Sequence, residues 1–188
     1  EIWDDALCVL GASIIFQRLK FIKQLTKYAG EYHKGISDNS EKLSFSYCSN
    51  AGIEDDDDEQ TIAKKLKNAL LKCRREDFNT GYTNVGPHRD DIDIIINSKK
   101  AKLYASQGQQ RSAVLSMKLA EAEILTKRTG EKPIILLDDV LSELDNSRQE
   151  FLLNKIEDYQ VFITCCEKSN KEQLKKGKVF KIENGKIV

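Results

Sequence analysis

The segment PIILLDDVLSELD, residues 133–145, constrains the fold of this chain more than any other feature. Its apolar run Ile134–Leu137 is typical of a strand that is fully buried, as strands of parallel sheets are. A helix near Asn146–Glu157 and a second apolar strand, YQVFIT, are predicted to follow it. Because strand, helix and strand occur in that order, we expect a parallel pair and an α/β fold.

The buried strand is predicted to end in two adjacent carboxylates, Asp138 and Asp139. Ligands of parallel sheets bind at the carboxyl ends of the strands, and two carboxylates buried there without partners would be costly. The pair is suited to holding Mg²⁺ beside phosphates and to orienting an attacking water, as a Walker B motif does. A strand that simply exits into a polar cap explains one Asp, but not the pair followed by SELD.

A phosphate-binding loop of the form G-x-x-x-x-G-K-[ST] should accompany such a site. The nearest match is GEYHKGIS, Gly30–Ser37, which has Ile36 in place of the lysine and follows a predicted helix. We reject this match. The chain also opens at Glu1 within a helical apolar pattern, and its only methionine is Met117. These observations lead us to expect a fragment that lacks its N-terminal part.

The hexapeptide SQGQQR, Ser106–Arg111, precedes a helix predicted over about Gln109–Arg128. One Ser or Asp is enough to cap a helix, so this run is more polar than capping requires. A serine hydroxyl, a close backbone approach at Gly108 and a helix N-terminus together form an anion site that needs no lysine. The sequence therefore predicts a segment that contacts a terminal phosphate.

The remaining elements are predicted from periodicity and turn residues. Apolar residues every three or four positions indicate a long amphipathic helix from Leu7 to Tyr28 that ends near Gly30–Gly35. One exposed strand is expected at KLSFSYCS and a helix at TIAKKLKNALLKCRRED. Further on, IDIII is predicted to be a strand, NSKK a turn, AKLYA its hairpin partner, and KVFKIENGKIV a hairpin turned at Asn184-Gly185.

Three segments in this order and spacing carry a resemblance to a known family: TNVGPHRDDIDIII, SQGQQRSAVLSMKLAE and PIILLDDVLSELD. The second resembles the signature motif of ABC-type ATPases. Together they resemble the RecF family, bacterial proteins of DNA replication and repair that are related to the SMC-type ATPases. The opening IWDDALCVLGASIIFQRLKFIKQL is similar to the helical lobe of that family. The resemblance spans essentially all 188 residues.

The resemblance implies the C-terminal half of the family's fold. Residues 1–80 would form a mostly helical lobe. Residues 81–188 would form the second half of an ABC-type ATPase lobe, with the signature helix, the Walker B strand and the strands that follow. The intact protein would bind DNA at gaps or junctions, dimerise on ATP with Mg²⁺, hydrolyse ATP slowly, and act with RecR and RecO to load RecA. This chain, which lacks the phosphate loop, is not expected to hydrolyse ATP alone.

The resemblance also implies roles for individual residues. Asp138 would bind Mg²⁺ through water, and Asp139 would stand where ABC ATPases usually carry a catalytic Glu. An Asp is one methylene shorter, which is compatible with slow hydrolysis. The histidine that often follows the next strand is replaced by Cys165, which puts a histidine-based sensor in doubt. The signature and D-loop residues expected to contact the nucleotide held by the opposite subunit are Ser106, Gly108, Gln109 and Asp145.

DNA contacts, if made, should be to phosphates, because the formal net charge is zero and aromatic residues are sparse near the basic ones. Binding would then be salt-sensitive and weakly sequence-selective. The candidates lie on the second helix and on the hairpin turn: Lys64, Lys65, Lys67, Lys72, Arg74, Arg75, Lys99, Lys100 and Lys102.

Two other functions stay open from the residues alone. One is a metal-dependent nuclease or phosphohydrolase with a two-metal cluster of aspartates. The other is a non-enzymatic interaction module, in which the signature helix is only a partner surface. The role of GPHRDD, Gly86–Asp91, is not settled by the sequence. The aspartates of the metal cluster would be Asp90, Asp91, Asp93, Asp138, Asp139 and Asp145.

Cysteine usage and hydropathy bear on the compartment. The five cysteines show no Cys-x-x-Cys spacing, so reduced thiols are expected. No apolar run approaches the roughly 20 residues of a membrane span, and no signal segment opens the chain. The sequence therefore predicts a cytoplasmic protein.

Overall fold

The computed structural model describes residues 2–165 and 177–188, which form a mixed α/β fold. A short 3₁₀ helix, Leu141–Glu143, precedes the last α-helix. The elements in chain order are α1 (Ile2–Ile36), β1 (Leu43–Cys48), α2 (Glu59–Thr80), β2 (Asp91–Ile96), β3 (Lys99–Lys100), α3 (Ala101–Tyr104), α4 (Gln107–Thr129), β4 (Ile135–Asp138), α5 (Asn146–Ile156), β5 (Val161–Thr164), β6 (Ile182–Glu183) and β7 (Lys186–Ile187).

The long helix predicted at the start of the chain is present as α1 and organises the larger core. Its buried stripe, which includes Ile15, Leu19 and Ile22, follows the three- and four-residue spacing of one helical face. This stripe packs with Ile62 and Leu66 of α2, and α1 also contacts β1 and α4. The segment GEYHKGIS lies at the end of α1 and in the turn after it, so it does not form a phosphate loop.

The strand β1 is not the exposed strand that its sequence indicates. Leu43, Phe45 and Tyr47 are buried at alternate positions, and the strand pairs antiparallel with β2 from Leu43 opposite Ile96 to Cys48 opposite Asp91. Its alternation of apolar and serine side chains fits a strand with one face against the core. The pairing crosses the boundary predicted near residue 80, because β1 precedes it and β2 follows it.

The prediction that AKLYA is the hairpin partner of β2 is wrong, because these residues are not in a strand. Asn97 and Ser98 both have positive φ, of 48° and 64°, and form the expected turn. Only Lys99–Lys100 then pairs with β2. The chain continues as the short helix α3, because Ala101 is buried and its carbonyl accepts the N–H of Ala105. Ala, Lys and Leu favour helix over strand.

Strands β4 and β5 pair in parallel, from Ile135 opposite Val161 to Asp138 opposite Thr164, as the strand, helix, strand order predicts. However, the prediction of a strand buried on both faces is wrong. Leu137 is buried in a cluster with Leu152 of α5, whereas Leu136 is 74% exposed. Alternate residues point to opposite faces of the sheet, and the face that carries Leu136 is left uncovered by the described part of the chain.

The cluster of Leu137 and Leu152 is a second hydrophobic core. It also contains Ile36, at the end of α1, because α1 and α5 pack closely there. A Cβ atom added at Gly35 would clash with the aromatic ring of Phe151. We expect Gly35→Ala to destabilise the chain by about 1–3 kcal/mol through overpacking, although Ala favours helices over Gly by roughly 1 kcal/mol.

Urea unfolding of the chain measures this effect, with Gly11→Ala as the matched control. The Cβ atom at Gly11 would meet only the side chains of Leu66, at 3.3 Å, and Pro87, at 3.4 Å. Gly11→Ala should therefore be close to neutral or stabilising. Equal stabilisation by both substitutions would contradict the close packing of α1 against α5.

The hairpin predicted at Asn184-Gly185 is confirmed, with positive φ at both turn residues and β6 paired antiparallel with β7. Cys8, Cys48, Cys73 and Cys165 are free thiols within the described ranges. Of the helices described, none is long and apolar enough to cross a membrane.

Candidate functional site

The hexapeptide Ser106–Arg111 forms the start of α4, and Ser106 is the N-cap. The Ser106 Oγ accepts the backbone N–H of Gln109 at 3.2 Å, and Oε1 of Gln109 accepts the backbone N–H of Ser106 at 2.9 Å. This reciprocal pair is a capping box. A hydroxyl can accept and donate at once, so the exposed Ser106 side chain can still donate its proton to an anion at the helix start.

Gly108 lies in the first turn of α4, where glycine is not the residue that helix formation favours. A Cβ atom at this position would meet only Nη1 of Arg148, at 3.7 Å, which is ordinary van der Waals contact. The packing of the described chain therefore does not require a glycine here. Close approach of a ligand or a second protein to the backbone would require one.

Asp145, the last residue of SELD, is the N-cap of α5. Its Oδ1 accepts the backbone N–H of Arg148 at 3.0 Å, and its Oδ2 lies 3.3 Å from Nε of the same arginine. Because Arg148 also lies against Gly108, the structure brings the start of α5 next to the start of α4. Two segments that are predicted separately as signature and D-loop are thus neighbours.

Asp138 and Asp139 stand at the carboxyl end of β4 and are exposed. The Thr164 hydroxyl donates to Oδ1 of Asp138 at 2.5 Å and accepts the backbone N–H of Asp139 at 3.0 Å. Asp139 has a φ of 52°, which is uncommon for a residue other than glycine and recurs at functional sites. Thr164 was not predicted from the sequence. The parallel register of β4 and β5, which places Thr164 opposite Asp138, is the feature that identifies it.

The two carboxylates fit the coordination chemistry of Mg²⁺. They present hard oxygen atoms at an exposed sheet edge, where Mg²⁺ can keep several waters and share phosphate oxygens. By contrast, the described residues contain no group of three or more His, Cys, Asp or Glu side chains placed to hold a metal. The six-aspartate cluster of a two-metal nuclease is therefore not formed.

The other aspartates of that proposed cluster belong to the antiparallel sheet. Asp90 accepts a hydrogen bond from the Tyr47 hydroxyl at 2.6 Å, and Asp93 pairs with Lys100 at 2.6 Å. Asp91 pairs in register with Cys48 at the start of β2. These contacts tie the three aspartates to the sheet of β1, β2 and β3, and not to the sheet of β4 and β5.

The segment GPHRDD is a loop fixed to α1 and β1. Nη1 of Arg18 donates to the carbonyl of Pro87 at 2.5 Å and to the Tyr47 hydroxyl at 3.5 Å. Arg89 stacks over the Tyr82 ring, with 4.7 Å from Cζ to the ring centre. Nε2 of His88 lies 3.0 Å from the carbonyl oxygen of Thr83. The contacts of this loop are therefore structural ones.

Tyr47 gives this loop a measurable pH dependence. Burial, followed by the hydrogen bond to Asp90, raises the pKa of Tyr47 to about 12. Its pKa in the unfolded chain is about 10, so the neutral form is favoured by folding. The stability that Tyr47 contributes is complete below about pH 10 and is lost as the pH rises toward 12. The difference in free energy of unfolding between wild type and Tyr47→Phe should shrink over that range, and a constant difference would contradict this assignment.

The nine basic residues predicted to contact DNA divide into two groups. Lys65 pairs with Asp57 at 2.6 Å, Lys67 with Asp5 at 2.9 Å, and Lys100 with Asp93 at 2.6 Å. A carboxylate partner reduces what these three can contribute to phosphate binding. The other six candidates are exposed: Lys64, Lys72, Arg74, Arg75, Lys99 and Lys102.

Comparison with known proteins shows which proteins this chain resembles. No family model matches the sequence. The RecF proteins of Ruminiclostridium cellulolyticum and Oenococcus oeni, both described as DNA replication and repair proteins, are 46% and 44% identical over the whole chain. The chain spans about half the length of these curated relatives, 51% in each case.

Two solved structures agree with the sequence matches. The recombination mediator protein RecF with ATPrS, from the RecFOR pathway, matches 99% of this chain with a TM-score of 0.83 and 42% identity. RecF with ATP matches 92% of the chain with a TM-score of 0.82 and 45% identity. The chain covers 49% and 47% of these two proteins.

The chain is thus similar along its whole length to RecF proteins that are described as DNA replication and repair proteins, and it corresponds to about half of their length.

Proposed function

We propose that this chain is the C-terminal part of a DNA-binding ABC-type ATPase of recombinational repair, in which ATP joins two copies of the protein. The observation that carries this proposal is the start of α4. There an exposed serine hydroxyl and a helix N-terminus are presented beside a glycine that the chain's own packing does not need. The relatives solved with ATP and ATPrS support a nucleotide as the ligand.

Each motif residue has a distinct task in this proposal. Ser106 donates a hydrogen bond from its hydroxyl to the terminal phosphate of ATP held by the opposite subunit. Gly108 lets the phosphate come close to the backbone. Asp145 fixes the start of α5 at the same interface. Asp138 holds Mg²⁺ through water, and Mg²⁺ neutralises charge on the phosphates. Asp139 orients the attacking water as a general base.

The uncovered face of β4 and β5 supports the idea that residues 81–188 are half of an ATPase lobe beside a helical lobe of residues 1–80. A groove with a volume of about 650 Å³ lies between α4 and β4. Exposed Val114, Leu125 and Leu136 line it. The full-length protein is here a protein of the same length as these relatives. In it, the remaining half would cover this groove and supply the phosphate loop. The present chain alone would then not hydrolyse ATP.

The partners are inferred from the similar proteins. The matched structures are described as recombination mediators of the RecFOR pathway, which supports RecO and RecR as partners. RecA loading at gaps is the outcome that we propose for this assembly. DNA would contact the basic side of α2 through phosphates, chiefly at Lys72, Arg74 and Arg75, which are exposed. Such binding weakens steeply as salt rises, because each phosphate contact releases a counterion.

Sedimentation of the full-length protein with and without ATP tests the proposal. Wild type should sediment as a dimer only with ATP. Ser106→Arg should stay monomeric, because the arginine fills the space that the phosphate needs, whereas the exposed helix start still tolerates it for folding. Asn79→Arg, at an exposed position of α2 outside the signature and D-loop segments, introduces the same arginine as a control and should dimerise. Equal dimerisation of Ser106→Arg would instead favour an interaction module without a nucleotide role.

A further inference from the structure

The start of α4 is connected to α1 by a chain of hydrogen bonds that the proposed function does not use. Nε2 of Gln109 donates to Oε1 of Glu41 at 2.8 Å. The other carboxylate oxygen, Oε2 of Glu41, lies 2.9 Å from Nε2 of His33. His33 is on α1, Glu41 follows α1 in the loop before β1, and Gln109 is in the first turn of α4. The contacts therefore join three segments that are far apart in sequence.

The inner end of this chain is fully enclosed. His33 is 0% exposed, and its Nδ1 lies 3.2 Å from the Ser116 hydroxyl. That hydroxyl donates in turn to the carbonyl of Ser112 at 2.7 Å, one turn earlier on α4. Buried polar groups of this kind are costly unless they are hydrogen-bonded, so the arrangement has few alternatives. The His33–Glu41 pair thus holds α1 to α4 at two points, Ser116 and Gln109.

Both ends of the Gln109 carboxamide are hydrogen-bonded within the chain. Its Oε1 accepts the N–H of Ser106, and its Nε2 donates to Glu41. The oxygen can accept one more bond and the NH₂ group can donate one more, so these contacts leave room for a ligand. They also give Gln109 the task of fixing Ser106.

We propose that Glu41 and His33 are positioning residues for the signature segment, and that they act through the contact of Gln109 with Ser106. Through them, the position of Ser106 and the N-terminus of α4 depends on α1. Engagement of the phosphate by Ser106 is then transmitted to α1, which packs against α2 and β1. This inference rests on the proposed function, because it assumes that Ser106 reads a nucleotide across a dimer.

The experiment compares variants of Glu41 in the full-length protein. Glu41→Ala removes both acceptors and should weaken ATP-dependent dimerisation roughly tenfold or more, as expected for a lost hydrogen bond to a charged group. Glu41→Gln should restore it to within about threefold of wild type. The glutamine oxygen can accept from Gln109 while its NH₂ group faces Nε2 of His33.

Two further measurements separate positioning from loss of stability. Binding of ATP to the monomer, followed by a fluorescent ATP analogue, should be unchanged in Glu41→Ala, since the signature acts on the other subunit's nucleotide. Ile22→Ala, a buried α1 residue outside the hydrogen-bonded chain, is the control for destabilisation. It should lower the thermal midpoint without weakening dimerisation. The double variant Glu41→Ala/Gln109→Ala should lose clearly less than the sum of the two single losses, because both substitutions remove the shared Glu41–Gln109 contact.

The outcomes distinguish this inference from the proposed function. Dimerisation of Glu41→Ala within about threefold of wild type would overturn the inference alone, as would additive effects of the Glu41 and Gln109 substitutions. An equal loss in Ile22→Ala would do the same. Wild type that stays monomeric at saturating ATP would overturn the proposed function, and the inference with it.

Discussion

Replacement of Asp139 by Asn should lower kcat for ATP hydrolysis by the full-length protein about 10²- to 10³-fold. The amide cannot accept a proton from the attacking water. Asn also tolerates the positive φ of 52° found at this position, so the backbone of the β4 turn should be kept. ATP-dependent dimerisation should persist, because Ser106 and Asp138 are unchanged.

Steady-state ATP hydrolysis and sedimentation measure the two parts of this expectation. Asp158→Asn is the matched control, since Asp158 is an exposed carboxylate after α5 that pairs with Lys132 at 3.6 Å. It should hydrolyse ATP at the wild-type rate. If Asp139→Asn kept more than about a third of wild-type kcat, the assignment of Asp139 as the water-orienting group would be wrong.

Leu152→Ala should produce the largest loss of stability, about 2–5 kcal/mol in the free energy of unfolding. Leu152 is 0% exposed and lies in the cluster that joins α5 to Leu137 and Leu141. The substitution leaves a cavity beneath β4, and the surrounding helices can relax only partly. Urea unfolding of the chain followed by circular dichroism measures the loss.

Leu103→Ala provides the control for the same chemical change on the surface. Leu103 is 69% exposed, so its truncation should change the free energy of unfolding by about 0.5 kcal/mol or less. Similar losses in the two variants would contradict the burial of α5 against β4.

Elements set by local pattern were predictable from the sequence. The order of strand, helix and strand gave β4, α5 and β5 with parallel pairing, and Asn184-Gly185 gave the tail hairpin. The helix predicted near Asn146–Glu157 is present as α5. These elements follow from local patterns, and the strand pairing follows from the order of the elements along the chain.

Features that depend on distant contacts were not predictable in the same way. Apolar composition alone suggested that Leu136 is buried, but burial depends on what covers the strand. The pairing of β1 with β2 joins segments more than 40 residues apart, and α3 replaces a strand because Ala101 packs inward. The His33–Glu41 pair had no local signature at all.

The candidate site shows the same division. The sequence indicated Ser106, Asp138 and Asp145, and the structure gives two of them a clear local task as helix caps. Thr164, which holds the Asp138 and Asp139 turn, could be inferred only once the register of β4 and β5 was known. The roles of these residues toward the nucleotide and Mg²⁺ stay predictions.

In the proposed mechanism, the signature segment of one subunit acts on the nucleotide of the other. Mixing two inactive variants of the full-length protein, Ser106→Arg and Asp139→Asn, tests this exchange between subunits. A mixed dimer contains one composite site in which Asp139 of the first variant and Ser106 of the second are both intact. An equimolar mixture should hydrolyse ATP well above the sum of the two variants measured alone, because only a mixed dimer contains a working site. Activity no greater than the sum of the two variants measured alone would contradict the claim.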